Sequence, residues 1–290
     1  MSTRWFGPRR LQPVSTDGYE RIRIRPLSPT IGAEIEGIDL REPVDRATYF
    51  ELRRALLAFK VIFLHDQDIT PAQHVAFARL FGELEVHPFL PNREGFPEVI
   101  VFAKDENTKG YENTWHSDVT WRQEPSLGSV LRAREVPRVG GDTLFCDMHA
   151  AYAGLDDSLK ATIDGLQAVH DFTRTFGSML DAKTLAERQK EFPPALHPVV
   201  RTHPETGERA IYVNWPFTSH VVGMERAESD RMLETLYRLA DVPEYQCRFR
   251  WRKNSIAFWD NRAAQHYASS DYWPQVRVME RVTIVGDRPV

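Results

Sequence analysis

From about residue 82 to its end, the chain alternates short runs of β-branched and aromatic residues with turns that are rich in proline and glycine. Many short strands separated by turn signals are typical of an all-β sandwich or barrel. The pattern therefore predicts a mainly β fold with flanking helices, in the α+β class. The runs that carry this prediction are EVIVFA, SVLRAREV, DTLFC, HPVVRTH, AIYVNW, CRFRWR, SIAFW and VRVMERVTIV.

The first part of the chain adds strands and capped helices to this pattern. Strands are expected in YERIRIRPL, in IGAEIEGIDL and in VIFL at 61–64. Asp45 has the right chemistry for a helix N-cap, and Thr70 with Gln73 forms a capping box. Helices are expected over 46–59, from residue 71, near 157–166 and over about 226–240.

The sequence contains no linker, internal repeat or low-complexity tract that would divide it. Residues 1–18 are polar and rich in Arg, Pro, Gly and Ser, so we expect a loosely ordered N-terminal arm. A β-rich domain can be as long as the remainder of this chain. We therefore expect one domain over residues 19–290.

Composition excludes several classes of function. The formal net charge of −4 gives no electrostatic signal for nucleic-acid binding, and no apolar run is long enough to cross a membrane. The N-terminus lacks the apolar segment of a signal peptide. Cys146 and Cys247 are far apart and form no CxxC pair, which argues against a disulfide framework and a cysteine zinc site. These features predict a cytoplasmic protein with neither a nucleic-acid nor a membrane partner.

A histidine and a carboxylate stand two residues apart in the run TWHSDVTW, at 114–121. If this run is a strand, His116 and Asp118 point to the same face, with their Cα atoms about 7 Å apart. On a helix the same two side chains would diverge by about 200°. The pair can therefore chelate one ion only in an extended chain. A strand with a solvated histidine and aspartate is the simpler alternative.

A third ligand is needed to hold a divalent ion, and His266 in WDNRAAQHYASSDY is the candidate. Two histidines and one carboxylate form the facial triad of non-haem Fe(II) oxygenases, which leaves coordination positions open. Because the chain contains ten histidines, the spacing alone does not establish the triad.

The run QVRVMERVTIV, which follows His266, predicts a strand with two arginines on one face. Guanidinium groups are costly to bury unless an anion meets them, and they pair bidentately with carboxylates and related anions. The run therefore suggests two anionic ligands beside one metal ion, with surface ion pairs on an exposed strand as the alternative. One face carries Arg277, Met279, Arg281 and Thr283, and the other, expected to be apolar, carries Val276, Val278, Val282 and Ile284.

Together these motifs resemble the Fe(II)/2-oxoglutarate-dependent dioxygenases, and most closely the taurine dioxygenase (TauD/TfdA-like) branch with its alkylsulfatases and aryloxyalkanoate dioxygenases. The shared pattern is His-X-Asp, a distant histidine and an arginine eleven residues after it, and the resemblance extends from about Ile22 to the C-terminus. It implies a double-stranded β-helix, a cupin-like jelly roll. Further stretches that resemble this branch are WHSDVTW, GGDTLF, HPVVRTHPETGE, WDNRAAQHYASSDY and VTIVGDRPV.

The resemblance also implies a role for each matching residue. Fe(2+) would be the cofactor, and 2-oxoglutarate and O2 the cosubstrates. Arg277 and Thr143 would bind 2-oxoglutarate. The residues implied to bind the metal and to be catalytic are His116, Asp118 and His266. The residues implied to bind the substrate are His87, Val119 through its backbone N–H, Phe176, Phe217 and Arg281.

The implied reaction is hydroxylation of a small anionic organic substrate, first a sulfonate such as taurine, with release of sulfite, aldehyde, succinate and CO2. Two positions depart from the taurine pattern: Leu90 replaces a tyrosine, and Glu112 replaces an asparagine. Glu112 could bind an ammonium group or point to solvent. Alkyl sulfate esters and aryloxyalkanoates therefore remain alternatives, as does a metal-binding jelly roll without oxygenase activity. The resemblance further implies a homo-oligomer, either a dimer or a tetramer.

Overall fold

The computed structural model describes residues 11–110 and 112–290, so residues 1–10 of the predicted arm lie outside the described part. The strands are Arg23–Pro26 (β1), Ala33–Glu36 (β2), Val61–Leu64 (β3), Asn92–Arg93 (β4), Phe96–Lys104 (β5), Gly128–Glu135 (β6), Thr143–Asp147 (β7), Gln167–His170 (β8), Ala195–Pro198 (β9), Val200–Thr202 (β10), Arg209–Ile211 (β11), Thr218–Val221 (β12), Gln246–Phe249 (β13), Ile256–Asp260 (β14), Ala264–Ala268 (β15) and Arg277–Ile284 (β16). The α-helices are Arg46–Phe59 (α1), Pro71–Arg79 (α2), Met148–Ala153 (α3), Asp157–Ile163 (α4), Thr173–Phe176 (α5), Ala182–Glu191 (α6) and Arg226–Tyr237 (α7), with short 3-10 helices at Gly177–Met179, Arg238–Asp241 and Pro243–Tyr245.

The largest sheet has eight strands in the order β1-β2-β3-β14-β6-β16-β5-β4. Its pairings are antiparallel except for β2 with β3, which run parallel. The smaller sheets have the orders β13-β7-β15, β12-β8-β9 and β10-β11. The predicted mainly β fold with flanking helices is confirmed.

A buried aromatic layer joins the eight-stranded sheet to the sheet β13-β7-β15. Phe63 of β3 stacks on Phe249 of β13 with 4.0 Å between ring centroids, and it meets Phe145 of β7 edge-on at 5.6 Å. Trp259 of β14 and Met279 of β16 belong to the same cluster. Residues of both sheets therefore share one core, and the inner face of β16 looks into the space between them.

Helices α1 and α2 cover the opposite face of the eight-stranded sheet. Asp45 caps α1 by accepting a hydrogen bond from the N–H of Thr48, and Thr70 with Gln73 forms the predicted capping box of α2. Leu52, Ala55, Leu56 and Phe59 of α1 are all buried, and Phe81 packs edge-on against Phe258 of β14 with 4.6 Å between ring centroids. The helices thus cover one face of the sheet, and the other face packs against the sheet β13-β7-β15.

Two predictions about strands were incomplete. The run AIYVNW was expected to be a strand throughout, but β11 ends at Ile211 because Asn214 turns the chain. The backbone N–H of Asn214 donates to Thr218 Oγ1 at 3.0 Å, and the Asn214 side chain accepts from the N–H of Phe217 at 3.2 Å. The second incomplete prediction concerns β16, whose supposedly apolar face contains Glu280, buried and paired with Arg93.

No helix in the described part of the chain combines the length and the apolar character that a membrane crossing requires.

Candidate active site

His116, Asp118 and His266 converge on one point. Each of the three side chains offers a ligand atom, and these atoms lie within 4.8 Å of one another. The two imidazole rings are 4.2 Å apart between centroids, and His116 Nε2 lies 3.9 Å from Asp118 Oδ1. The fold therefore brings the three predicted ligands together, although His266 lies more than a hundred positions after the other two.

The backbone that presents His116 and Asp118 is not the predicted strand. His116 forms a single antiparallel bridge with His266, through backbone hydrogen bonds of 3.0 and 2.8 Å, and the chain then enters a turn at Asp118. Val119 has a φ of 47°, in the left-handed region that a β-branched residue rarely adopts. The turn ends the extended segment, so the ligands converge through one bridge and one turn.

Asn261 fixes this turn from the side of β14. Its side-chain oxygen accepts a 2.6 Å hydrogen bond from the N–H of Asp118, and its side-chain amide donates to the Asp118 carbonyl at 2.9 Å. The amide also donates to the Ser126 carbonyl at 3.2 Å. One side chain therefore replaces the ladder hydrogen bonds that a strand would have supplied.

The hydrogen bonds of His116 select the nitrogen that faces the site. Nδ1 lies 2.8 Å from the carbonyl oxygen of Thr114. A carbonyl can only accept, so Nδ1 carries the proton and Nε2 keeps a free lone pair towards Asp118. Metal-binding histidines commonly donate their other ring N–H to a carbonyl in this way.

Asp118 is an ionised carboxylate. Burial alone would raise its pKa, but the Arg281 guanidinium and the two neighbouring histidines hold that pKa well below its usual range. Arg281 Nη1 donates to Oδ1 at 2.8 Å, and the Ser129 hydroxyl donates to Oδ2 at 3.1 Å. The carboxyl group thus stays negative inside a protein interior.

His266 is a neutral imidazole, because burial and the nearby His116 lower its pKa to about 3. Metal ions bind neutral imidazole and ionised carboxylate, so the protonation states of this group match those required of ligands. The chemistry of the donor set therefore fits a divalent metal ion with two nitrogen ligands and one oxygen ligand.

Two cavities meet at His116. The Arg277 cavity is lined by Thr143, Arg277 and His266, together with Trp259 and Met279 of the buried core. The His87 cavity lies on the other side and reaches Asp118. Its lining includes the predicted substrate residues His87, Val119, Phe176, Phe217 and Arg281, together with Leu90. Of the predicted ligand-binding residues, Thr143 and Arg277 line only the first cavity, Arg281 lines both, and the other four line only the second.

Arg277 is a buried cation with hydrogen-bonding capacity to spare. Burial lowers its pKa, and its Nε donates to the Gly141 carbonyl at 3.2 Å. Nη2 is buried and has no hydrogen-bond partner within the described residues. Thr143 Oγ1 accepts from Trp251 at 2.9 Å, so its hydroxyl proton is available to a ligand. An anion in this cavity would receive donors from both residues.

Arg281 and His87 supply donors to the second cavity. The Arg281 guanidinium lies over the Phe102 ring at 5.0 Å, and its Nε is buried without a partner in the described part. Burial, with Arg281 nearby, lowers the pKa of His87 to about 3. Since His87 Nδ1 accepts from the N–H of Phe89 at 3.2 Å, the ring proton is on Nε2. A neutral N–H donor and a guanidinium thus face the same space.

Sequence reasoning missed three supporting residues: Asn261, Ser129 and Lys104. The turn signal in the run WDNRAA marks Asn261 as a turn residue, but nothing local links it to a carboxylate far away in sequence. Ser129 lies within a predicted strand, and its hydroxyl gains a role only when β6 lies beside the turn. Lys104 lines the Arg277 cavity from the end of β5.

Comparisons with known proteins agree with this geometry. Residues 23–283 match the family model described as "Taurine catabolism dioxygenase TauD, TfdA family". The chain is 35% identical to an alpha-ketoglutarate-dependent sulfate ester dioxygenase of Pseudomonas putida, over 92% of this chain and 90% of the relative. It is 33% identical to an (S)-phenoxypropionate/alpha-ketoglutarate-dioxygenase of Sphingobium herbicidovorans, over 91% and 95%. A solved taurine dioxygenase from Burkholderia xenovorans superposes with a TM-score of 0.82 at 38% identity, covering 93% of this chain and 91% of that one.

Proposed function

Because the chain belongs to the taurine catabolism dioxygenase (TauD, TfdA) family and is a 2-oxoglutarate-dependent non-haem iron dioxygenase, we propose that it hydroxylates an organic sulfonate at the carbon that bears the sulfonate group. The hydroxylated product then breaks down to an aldehyde and sulfite, while 2-oxoglutarate and O2 yield succinate and CO2. The observation that carries the proposal is the pair of buried arginines on two cavities that meet at one His-Asp-His cluster. Each arginine has one nitrogen with no hydrogen-bond partner among residues 11–110 and 112–290.

Fe(2+) would be held by His116, Asp118 and His266. When bound, the ion supplies the activation of O2 and the oxidation of the substrate carbon, which no amino-acid side chain can provide. The protein keeps the imidazole of His266 neutral and the carboxylate of Asp118 ionised, as binding requires. The hydrogen bonds from Ser129 and Arg281 hold the carboxylate in place before the ion arrives.

Arg277 and Thr143 would bind the distal carboxylate of 2-oxoglutarate. The guanidinium offers a buried N–H donor and a compensating positive charge, and the hydroxyl of Thr143 offers a second donor. The cosubstrate carries two negative charges, so a cavity without Arg277 would disfavour it. Its keto acid end would then lie towards His116 and His266, which line the same cavity.

Arg281 and the Nε2–H of His87 would hold the anionic head of the substrate. The head group then fixes which carbon lies nearest to the ligand cluster, which is an effect of orientation. The backbone N–H of Val119 would contribute a further donor, and the rings of Phe176 and Phe217 would contact the apolar part of the substrate. Replacing water by these side chains also excludes side reactions in the cavity.

The proposal is tested by assaying sulfite and succinate release with Fe(II), O2 and 1-propanesulfonate as substrate. We expect the two products in equal amounts. Arg277→Met should raise the KM for 2-oxoglutarate by about a hundredfold, and Arg281→Met should raise the KM for the sulfonate by a similar factor, since each removes a buried charge partner.

Arg226→Met is the matched control, because Arg226 lies on the exposed surface of α7 and should leave both constants unchanged. Asp118→Ala should abolish both products. If Arg277→Met instead raised only the KM for the sulfonate, the assignment of the two cavities would be reversed. Absence of any product from a sulfonate, sulfate ester and aryloxyalkanoate panel would refute the proposed reaction.

A second candidate substrate is an alkyl sulfate ester or an aryloxyalkanoate, oxidised by the same chemistry. The aromatic wall of the His87 cavity favours it, since Phe176 and Phe217 lie 6.4 Å apart in a near-parallel arrangement and Leu90 adds apolar surface. The same panel distinguishes these substrates by the release of sulfate or of a phenol.

The finer features of the fold and its setting form part of the proposal. The core shared by the eight-stranded sheet and β13-β7-β15 supports a double-stranded β-helix, and we propose that residues 19–290 form this single domain. We also propose a homo-oligomer, dimer or tetramer, in the cytoplasm. Size-exclusion chromatography with light scattering would measure the number of subunits.

A further inference from the structure

An ion pair stands at the boundary between the two cavities. Lys104 Nζ lies 3.0 Å from Glu112 Oε1, with side chains 11% and 32% exposed. Lys104 lines the Arg277 cavity, whereas Glu112 lines both cavities. The Glu112 carboxylate therefore faces the His87 cavity, where the substrate is proposed to bind. The positive charge of Lys104 opposes its negative charge from the Arg277 cavity.

The sheet fixes the position of Lys104. In the antiparallel pair β5–β16, Lys104 is the direct partner of Arg277. Side chains of directly opposite residues project from the same face of a sheet. The ammonium group thus points to the inner face, as the guanidinium of Arg277 does, and this explains why both line one cavity.

The segment that carries Glu112 is also held in place. A Cβ atom added at Gly110 would lie 2.9 Å from the hydroxyl of Tyr272 and 3.4 Å from Glu112 Oε2. The Trp273 indole N–H donates to the Glu106 carbonyl at 3.2 Å, joining this segment to the loop before β16. The loop after β5 is therefore tied to the loop before β16, next to the cavity wall that Glu112 lines.

The charges that line the His87 cavity assign a specific task to this pair. Among its described lining residues, the charged groups are Glu112, Asp118 and Arg281. Asp118 belongs to the His-Asp-His cluster and bonds to Arg281. Glu112 is thus the acid placed to meet a positive group on a substrate tail, and Lys104 already opposes its charge. The ion pair therefore attracts an incoming ammonium group far less than a carboxylate without a neighbouring cation would.

We propose that Lys104 and Glu112 form a specificity-determining ion pair, in which Lys104 cancels the charge of Glu112 so that the His87 cavity favours anions with an uncharged tail over zwitterions with an ammonium group. The inference rests on the proposed function, in that the substrate anion occupies the His87 cavity. Beyond that function, the inference states which substrate tails the cavity accepts and which two residues determine this preference.

Two probes of nearly equal size test the charge of the tail: 1-propanesulfonate ends in a methyl group, and taurine ends in an ammonium group. We expect anaerobic calorimetric titration, with Fe(II) and 2-oxoglutarate present, to give the wild type a Kd about tenfold lower for propanesulfonate, which corresponds to about 1.4 kcal/mol. Lys104→Met should shift this ratio towards taurine by about tenfold or more, because it removes the ammonium group that opposes the Glu112 carboxylate.

Lys104→Arg keeps the charge and should keep the wild-type ratio. The double variant Lys104→Met with Glu112→Gln removes both charges and should restore that ratio, which a defect in folding would not do. Equal weakening of both probes in Lys104→Met would mean that the pair only supports the loop, and would overturn the inference. Failure of the folded wild type to bind either sulfonate would overturn the proposed function itself, and with it the inference.

Discussion

At the scale of single residues, the His-Asp-His cluster depends on neighbouring groups that would not themselves bind the metal ion. Asp118 is the clearest case, since its backbone is held by Asn261 and its carboxylate by Ser129 and Arg281. Val119, the next residue, is held at a φ of 47° that a valine does not adopt without support. Hydrogen bonds from neighbouring residues orient the metal-binding side chains, and they often matter for metal affinity almost as much as the ligands themselves.

Asn261→Ala should therefore weaken metal binding. Loss of both hydrogen bonds to the Asp118 backbone would free the turn, and outer contacts of this type typically account for about ten- to a hundredfold in metal affinity. Titration with Co(II), followed by its visible absorption, would measure the change. Asn107→Ala is the control, because Asn107 is exposed in a loop outside the two cavities. An unchanged Co(II) affinity in Asn261→Ala would show that the turn holds its shape without this side chain.

At the scale of elements, helix α1 illustrates how local signals and burial cooperate. Asp45 satisfies the N–H of Thr48 at 2.9 Å, which fixes where the helix begins. Its apolar side then packs into the core beneath the eight-stranded sheet, through Leu52 and Leu56. The cap sets the register, and burial supplies most of the stabilising free energy.

Asp45→Ala should lower the free energy of unfolding by about 1 kcal/mol, the usual effect of removing an aspartate N-cap. Leu52→Ala should lower it by more, about 2–5 kcal/mol, since it leaves a cavity in a fully buried position. Urea denaturation followed by circular dichroism gives both values. The order of the two effects is the test, and a larger loss in Asp45→Ala would contradict this account of α1.

At the scale of the whole molecule, buried neutral histidines link stability to pH. Burial is the main cause that lowers the pKa of His74 to about 4, and it also lowers the pKa of His197 to about 4 and that of His170 well below its usual value. Each of these groups binds a proton more readily in the unfolded chain, where its pKa is near 6.5. Their contribution to stability is complete above about pH 6.5 and is lost as the pH falls towards 4.

His74→Gln should reduce this pH dependence. His74 Nε2 lies 3.0 Å from the Val130 carbonyl, a contact that a glutamine amide can keep without a titrating group. Between pH 6 and pH 4.5 the wild type should lose about 1.4 kcal/mol more per pH unit than the variant. Urea denaturation of metal-free protein at both pH values measures the slopes. Equal slopes would mean that His74 is not neutral in the folded protein.

The sequence by itself determined the features that neighbouring residues encode. Short runs of β-branched and aromatic residues marked β5, β6 and β16, and capping chemistry marked the starts of α1 and α2. Residue chemistry marked His116 and Asp118, and the family resemblance marked Arg277. These predictions needed only the periodicity of a strand or helix and the donors and acceptors of side chains near in sequence. The strand predicted over residues 114–121 was wrong because Asn261, which is distant in sequence and follows β14, overrides the local preference there.

Only the tertiary structure decided which distant residues meet. The order of strands in the sheets sets His266 against His116, Ser129 and Asn261 against Asp118, and Lys104 against Arg277. No local pattern contains that order, since strand pairing depends on burial of whole faces and on the loops that connect them. The sequence thus determined the chemical types of the side chains at the site. The packing of the sheets determined the distances between them, their protonation states and their arrangement around two cavities.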